Sequence, residues 1–228
     1  MTDAGAALPI VLLSLKVALI GTLLSLPIAL VTALALARGR FWGRSLLNVL
    51  VHLPLVLPPV VTGYLLLRVF GRRGPIGAFL EDTLGLTLAF RWTGAAVAAA
   101  VMGFPLMVRA MRLAIEAVDH ELEEAAASLG APPAWTFVTV TLPLALPGLV
   151  AGMVLAFAKA LGEFGATITF VSNIPGETQT LALAIYTQLE RPGGEAAALR
   201  LAWLSVAISV VALLFSELLS RSFRRQAT

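Results

Sequence analysis

Apolar residues fill this chain in long blocks, with short polar punctuation between them. Five blocks approach or exceed the roughly 20 residues that an α-helix needs to cross a bilayer: about 9–37, 47–69, 93–114, 143–165 and 199–220. ARGRFWGRS (37–45) joins the first two, and GRRGPIGAFLEDTLGLTLAFRW (71–92), with its Gly and Pro turn signals, joins the second and third. A longer polar stretch, about 119–143, separates the third from the fourth. Between the fourth and fifth, residues 166–198 alternate apolar residues with Asn-Ile-Pro-Gly and Pro-Gly-Gly breaks. That segment is too interrupted for a span; it reads as an extramembrane loop with one short helix or as a partly re-entrant element. No internal repeat or low-complexity linker divides the chain, so the pattern predicts one all-α membrane domain over 1–228.

Composition sharpens this picture. The chain is 59% hydrophobic and 13% charged, against about 45–50% and about 25% in soluble domains, and its mean hydropathy is +0.92. Met1-Thr2-Asp3 supplies no basic leader, and the first apolar block outruns the roughly 7–15 residues of a secretory signal, so it is expected to be a span. The net charge of +3 comes from scattered residues; a nucleic-acid binder gathers them on one face. There is no cysteine for a disulfide or thiolate site.

Five spans place the termini on opposite sides. If 119–143 is cytoplasmic, eight arginines lie inside (Arg38, Arg40, Arg44, Arg109, Arg112, Arg221, Arg224, Arg225) and six outside (Arg68, Arg72, Arg73, Arg91, Arg191, Arg200). The positive-inside rule favours that orientation, by a narrow margin.

The stretch HELEEAAASLGAPPAWTFVTVTLPLALPG (120–148) is built to fold outside the bilayer. Asp119 is placed to cap a helix, and Glu121, Glu123 and Glu124 suit its first turn, where the helix dipole favours negative charge. Leu122, Ala125, Ala126 and Leu129 share a face. Gly130 fits a left-handed C-terminal cap, Pro132 and Pro133 end the helix, and Pro133 suits the start of a second. Trp135, Val138 and Leu142 then line one face before Pro143 opens the next span. A solvated connector needs fewer residues and would leave Leu122, Leu129, Trp135 and Phe137 with little to bury against; a small-residue patch flanked by acids suits docking to another protein.

At these residues the chain resembles a known family. Glu124-Ala125-Ala126, three residues, Gly130, nine residues, then Val140-Thr141-Leu142-Pro143 is similar to the EAA loop of bacterial ABC-importer permeases, with Val140 where isoleucine is usual. HLPLVLPPVVTGYLLL (52–67), GFPLMVRAMRLAIEAVD (103–119), AKALGEFGATITFVSNIPGETQT (158–180) and PGGE (192–195) resemble molybdate-transport permeases, with sulfate and tungstate permeases as near relatives. The resemblance implies the MetI-like (type I) fold and a cytoplasmic loop of coupling helices seated on an ATP-binding subunit. It also implies a bacterial inner-membrane location, a cytoplasmic C-terminus and an external N-terminus. The implied assembly has two permease copies, two ATP-binding subunits and an extracytoplasmic molybdate-binding protein. ATP and magnesium would be held by the partner, and this chain would bind no cofactor or metal.

Within the spans, charges and prolines are the remaining candidates, because an intramembrane charge is costly. Lys159 and Glu163 are four apart and can pair on one helix face; a neutral pair at a helix end is the plain reading, and a place along the anion pathway with Gly162 and Gly165 is the functional one. Lys16 and Glu217 suit interface snorkelling or inter-helix pairing. Pro54, Pro58, Pro59 and Pro105 are expected to kink or unwind their helices; the plain reading is packing, and broken helices also line substrate routes. Arg72 and Arg73 would face outside, to meet an oxyanion, a binding protein or only water. The chain has no phosphate-binding G-x-x-x-x-G-K-[ST] motif, no H-E-x-x-H and no G-x-S-x-G, and its only histidines are His52 and His120. An intramembrane enzyme therefore lacks a catalytic set, and a secondary transporter leaves 119–143 without a purpose. The expectation is a non-catalytic permease subunit.

Overall fold

The structure, a computed structural model, describes the backbone of residues 4–226 and the side chains of residues 7–214. Every regular element among them is helical. Four long apolar helices dominate: α1 (Ala4–Arg38), α5 (Trp92–Glu116), α8 (Leu142–Leu161) and α11 (Glu195–Gln226). Shorter helices are α2 (Arg44–Val56), α3 (Pro59–Phe70), α4 (Pro75–Leu84), α6 (His120–Ser128), α7 (Pro133–Thr136), α9 (Gly165–Val171) and α10 (Leu181–Leu189). The side chains of Glu217, Arg221, Arg224 and Arg225 lie outside the described ones.

The centre of the bundle is α1, α5 and α8, held by small residues that bring backbones close. A Cβ on Gly21 of α1 would come within 2.7 Å of the Ala96 carbonyl of α5. Further along, Ala29, Ala33 and Leu36 share a cluster with Met107, Met111 and Ile115. These matched orders make α1 and α5 parallel. Gly103 lies against Ala156 and Gly148 against Ala114, so α8 runs antiparallel to α5. Close approach through Gly and Ala is how helices gain dispersion contacts in lipid, where burial alone favours nothing.

Two parallel helices in succession require the chain to return between them, and α2 with α3 supplies that return. It is not a straight span: the two helices meet at a bend of 115°. Leu57 precedes a proline and is extended (φ −69°, ψ 142°), as is Pro58 before Pro59 (φ −53°, ψ 133°). The kink expected over 47–69 is thus a full break, whereas α5 continues through Pro105.

A second correction concerns the fourth span. It does not open at Pro143: helix runs without a gap from Pro133 to Leu161, through a π-helical turn at Phe137–Thr141. Pro143 has no N–H to donate and its ring crowds the carbonyl four residues back. Widening the turn, with the Leu142 N–H donating to the Phe137 carbonyl, removes that conflict.

Residues 166–198 carry α9 and α10 and fold back on the bundle. Leu181 and Ala184 of α10 pack with Leu201 of α11 and Ile10 of α1, and the Ser14 hydroxyl accepts from the Leu181 N–H at 2.8 Å. The reading of this segment as a loop with one short helix therefore gives way to two short helices docked on the spans.

Candidate functional site

The polar stretch folds as expected at its start and turn. The Asp119 carboxylate accepts from the Glu121 N–H at 3.0 Å, capping α6. At the far end the Ala131 N–H donates to the Ala126 carbonyl (3.1 Å) and the Gly130 N–H to the Ala127 carbonyl (2.9 Å), with Gly130 at φ +85°. That pair of bonds and the left-handed glycine form a Schellman C-cap. No residue of α6 is buried. Leu122, Leu129, Trp135 and Val138 are exposed and Phe137 is half-buried. The apolar face expected on α6 is therefore turned away from its own chain. A Cβ on Gly130 would meet nothing within 4 Å, so within this chain the glycine is demanded by backbone conformation and not by a close contact.

Of the matched motif, Glu124, Ala125, Gly130 and Pro143 are exposed, and Ala126, Val140 and Leu142 are half-buried. Leu142 packs on the cluster around Met107 and Met111. Motif matching missed Glu123. Its Oε1 accepts from Arg38 Nη2 (3.2 Å) and from the Thr141 hydroxyl (2.6 Å), and its Oε2 lies 2.9 Å from His120 Nδ1. Burial opposes its ionisation, but the hydrogen bonds from Thr141 and His120 and the charge of Arg38 prevail, holding its pKa below the ordinary glutamate value. Nothing in the spacing distinguishes Glu123 from Glu121 or Glu124; only the meeting of α1, α6 and the π turn does.

At the opposite end of α8 the helix stops at Leu161, and Gly162, Glu163 and Phe164 break the chain before α9. Lys159 and Glu163 pair as their spacing predicts, Nζ to Oε2 at 2.8 Å. Glu163, however, lies past the helix end with its side chain only 2% exposed, so it does not snorkel. Its Oε1 accepts from the Ala166 N–H at 2.9 Å, which anchors the start of α9. There α9 meets α3: a Cβ on Gly165 would lie 2.8 Å from the Pro59 side chain, and one on Gly63 2.5 Å from the Ala166 carbonyl. The structure thus brings Lys159, Glu163, Gly165 and Pro59 into one region, where the breaks after α8 and before α3 touch. Gly162 and Pro58 are exposed beside those breaks.

Lys16, a cation within α1, has an inter-helix partner. Lys16 Nζ lies 3.5 Å from the centroid of the Trp92 ring at the start of α5. Arg72 pairs with Glu81 of α4 at 3.4 Å. Among the described residues no group of three or more His, Asp or Glu could hold a metal ion.

Residues 25–225 match the family described as binding-protein-dependent transport system inner membrane component. The chain is 58% identical over 217 residues to the molybdenum transport system permease protein ModB of Escherichia coli K12, covering 95% of each chain. It is 53% identical over 214 residues to the ModB of Haemophilus influenzae, covering 94% of this chain and 93% of that one. Among solved structures, the methionine ABC transporter MetNI in an inward-facing conformation aligns with a TM-score of 0.68 at 15% identity, over 98% of this chain and 99% of the other. That likeness shows the MetI-like fold. By the family match and the identities together, the chain belongs to the inner-membrane permeases of binding-protein-dependent ABC transport systems.

Proposed function

We propose that the chain is the membrane subunit of an ATP-driven molybdate importer, acting as a pair of copies around one translocation pathway. The observation that carries the coupling part is α6: a capped helix of fixed geometry that buries none of its residues in its own chain. Such a surface suits the cleft of an ATP-binding subunit. Glu124, Ala125, Ala126 and Gly130 would face it, and Val140, Leu142 and Pro143 would join it to α8. The chain has no phosphate-binding loop of its own, so ATP and magnesium belong to that partner. Molybdate as the cargo is supported by the relatives of 58% and 53% identity.

Two cavities of about 660 and 480 Å³ are lined by apolar side chains, with Thr22 and Ser25 the polar exceptions. Neither suits a dianionic oxyanion, which supports a pathway between two copies. The exposed apolar face of α2 and α3, with Val56, Val60, Val61 and Tyr64, lies beside the Pro58–Pro59 break and offers the surface for that pairing. The gate is then formed where the breaks touch, by Pro58, Pro59, Gly162 and Gly165, with Lys159 and Glu163 as their brace. In this orientation α6 is cytoplasmic with Arg38, Arg44, Arg109 and Arg112, and the N-terminus and α10 lie outside, where the extracytoplasmic binding protein delivers its oxyanion.

Closure of the ATP-bound partner dimer moves α6, the bundle opens outward, and hydrolysis resets it. Co-purification tests the arrangement. An ATP-binding subunit should be retained stoichiometrically by the wild-type chain and lost on Glu124→Arg. Retention by that variant with unchanged uptake would overturn it.

A further inference from the structure

Glu123 and Glu124 are neighbours in sequence and opposites in environment. The Glu124 side chain is 71% exposed and that of Glu123 15%. Arg38, the last residue of α1, donates through Nη2 to the carbonyls of Ile115 and Val118 at 3.1 Å each, as well as to Glu123. It thereby caps the end of α5. Thr141, which donates to the same carboxylate oxygen, is the last residue of the π turn that leads into α8. One carboxylate on α6 is therefore tied to the ends of all three helices at the bundle centre.

We propose that Glu123 is the positioning residue of this importer, a latch that passes displacement of α6 to α1, α5 and α8 through Arg38 and Thr141. The inference rests on the coupling role of α6 and adds how its motion reaches the spans. Without the latch, α6 is held by the turns on either side of it, at 117–119 and 129–132, and by side-on packing against α7 and the π turn. A pull on it would be absorbed there, because none of its residues is buried against the bundle. Arg38 Nε is buried and has no hydrogen-bond partner among the described residues. The pair is thus one-armed, engaging Glu123 through Nη2 alone.

The test uses the permease assembled with its ATP-binding subunit and reconstituted in vesicles, with molybdate delivered by the binding protein. The readout is ATP hydrolysed per molybdate taken up, with subunit retention scored in parallel. Glu123→Gln preserves shape and removes charge. It should keep the ATP-binding subunit but raise the ATP-to-molybdate ratio by about twofold or more, the lower end of coupling between residues in contact. Arg38→Gln should do the same, and the double variant should be no worse than either single one. Thr141→Val retains the ion pair and should raise the ratio less, giving a second reading if a charge variant fails to assemble. An unchanged ratio in Glu123→Gln, or effects that multiply in the double variant, overturns the latch. If Gly130→Leu uncouples while Glu123→Gln and Thr141→Val do not, the latch alone fails. If Gly130→Leu and Glu124→Arg also leave retention and ratio intact, the coupling role of α6 fails with it.

Discussion

Gly130 shows what a single residue contributes at the proposed coupling surface. Its φ of +85° costs a side-chain-bearing residue about 1–2 kcal/mol, yet no atom lies within 4 Å of where a Cβ would sit. Gly130→Leu should therefore insert and assemble its spans normally while uncoupling ATP hydrolysis from uptake; normal coupling in vesicles would contradict this. Lys159 is the converse case, since its removal leaves the Glu163 carboxylate buried without a counter-ion. Breaking a buried pair costs about 3–5 kcal/mol, and because Lys159 is itself 31% exposed the lower end applies. Lys159→Ala should lower the melting temperature in detergent and reduce molybdate flux without releasing the ATP-binding subunit, and Lys159→Arg should restore both. Equal melting and flux in the alanine variant would remove the brace. The four-residue spacing made this pair legible in the sequence. That Glu163 also anchors α9 was not, because the position where α8 stops is set by Gly162 and the contact with α3.

At the scale of elements, α6 and the broken helices respond to different stresses. Glu123 has a depressed pKa in the folded chain, so its contribution is fully present above the ordinary glutamate value. That contribution is lost as pH falls through the lowered one. Hydrogen exchange of the α6 amides, corrected for intrinsic rate, should accelerate only as pH falls below the ordinary glutamate value, and Glu123→Gln should abolish that acid step; a step that survives the substitution belongs to another group. For the breaks, Gly63→Leu forces a side chain against the Ala166 carbonyl. Overpacking of this kind costs roughly 1–3 kcal/mol, so the variant should lose flux and thermal stability together, and wild-type values for both would show that α3 and α9 can separate freely. Sequence reading located both ends of α6 from Asp119 and Gly130. It placed the start of the fourth span at Pro143 because proline is a helix breaker in isolation. Here the π turn absorbs Pro143, and the helix simply continues.

The whole molecule is a bundle whose order follows from close-packing glycines and alanines, and whose chemistry sits at its two ends. Four of the hydrophobic blocks form helices long and apolar enough to cross a bilayer, since block length is a direct consequence of bilayer thickness, and the block at 47–69 forms the bent pair α2–α3. They could not foretell that the second block is bent by 115°, because the consecutive prolines explain a break but not its angle, which packing against α9 decides. Charge counting alone left the orientation narrowly decided, and the latch adds a structural reason to place α6 and Arg38 on one side. The central claim is that this chain carries molybdate only when a partner hydrolyses ATP. The most direct measurement is radiolabelled molybdate uptake into vesicles containing the permease, its ATP-binding subunit and the binding protein, with unlabelled tungstate and sulfate as competitors. The account predicts uptake that requires ATP and the ATP-binding subunit, is competed by tungstate, and is little affected by sulfate. Uptake by the chain alone without ATP, or uptake abolished by sulfate as readily as by molybdate, would contradict it.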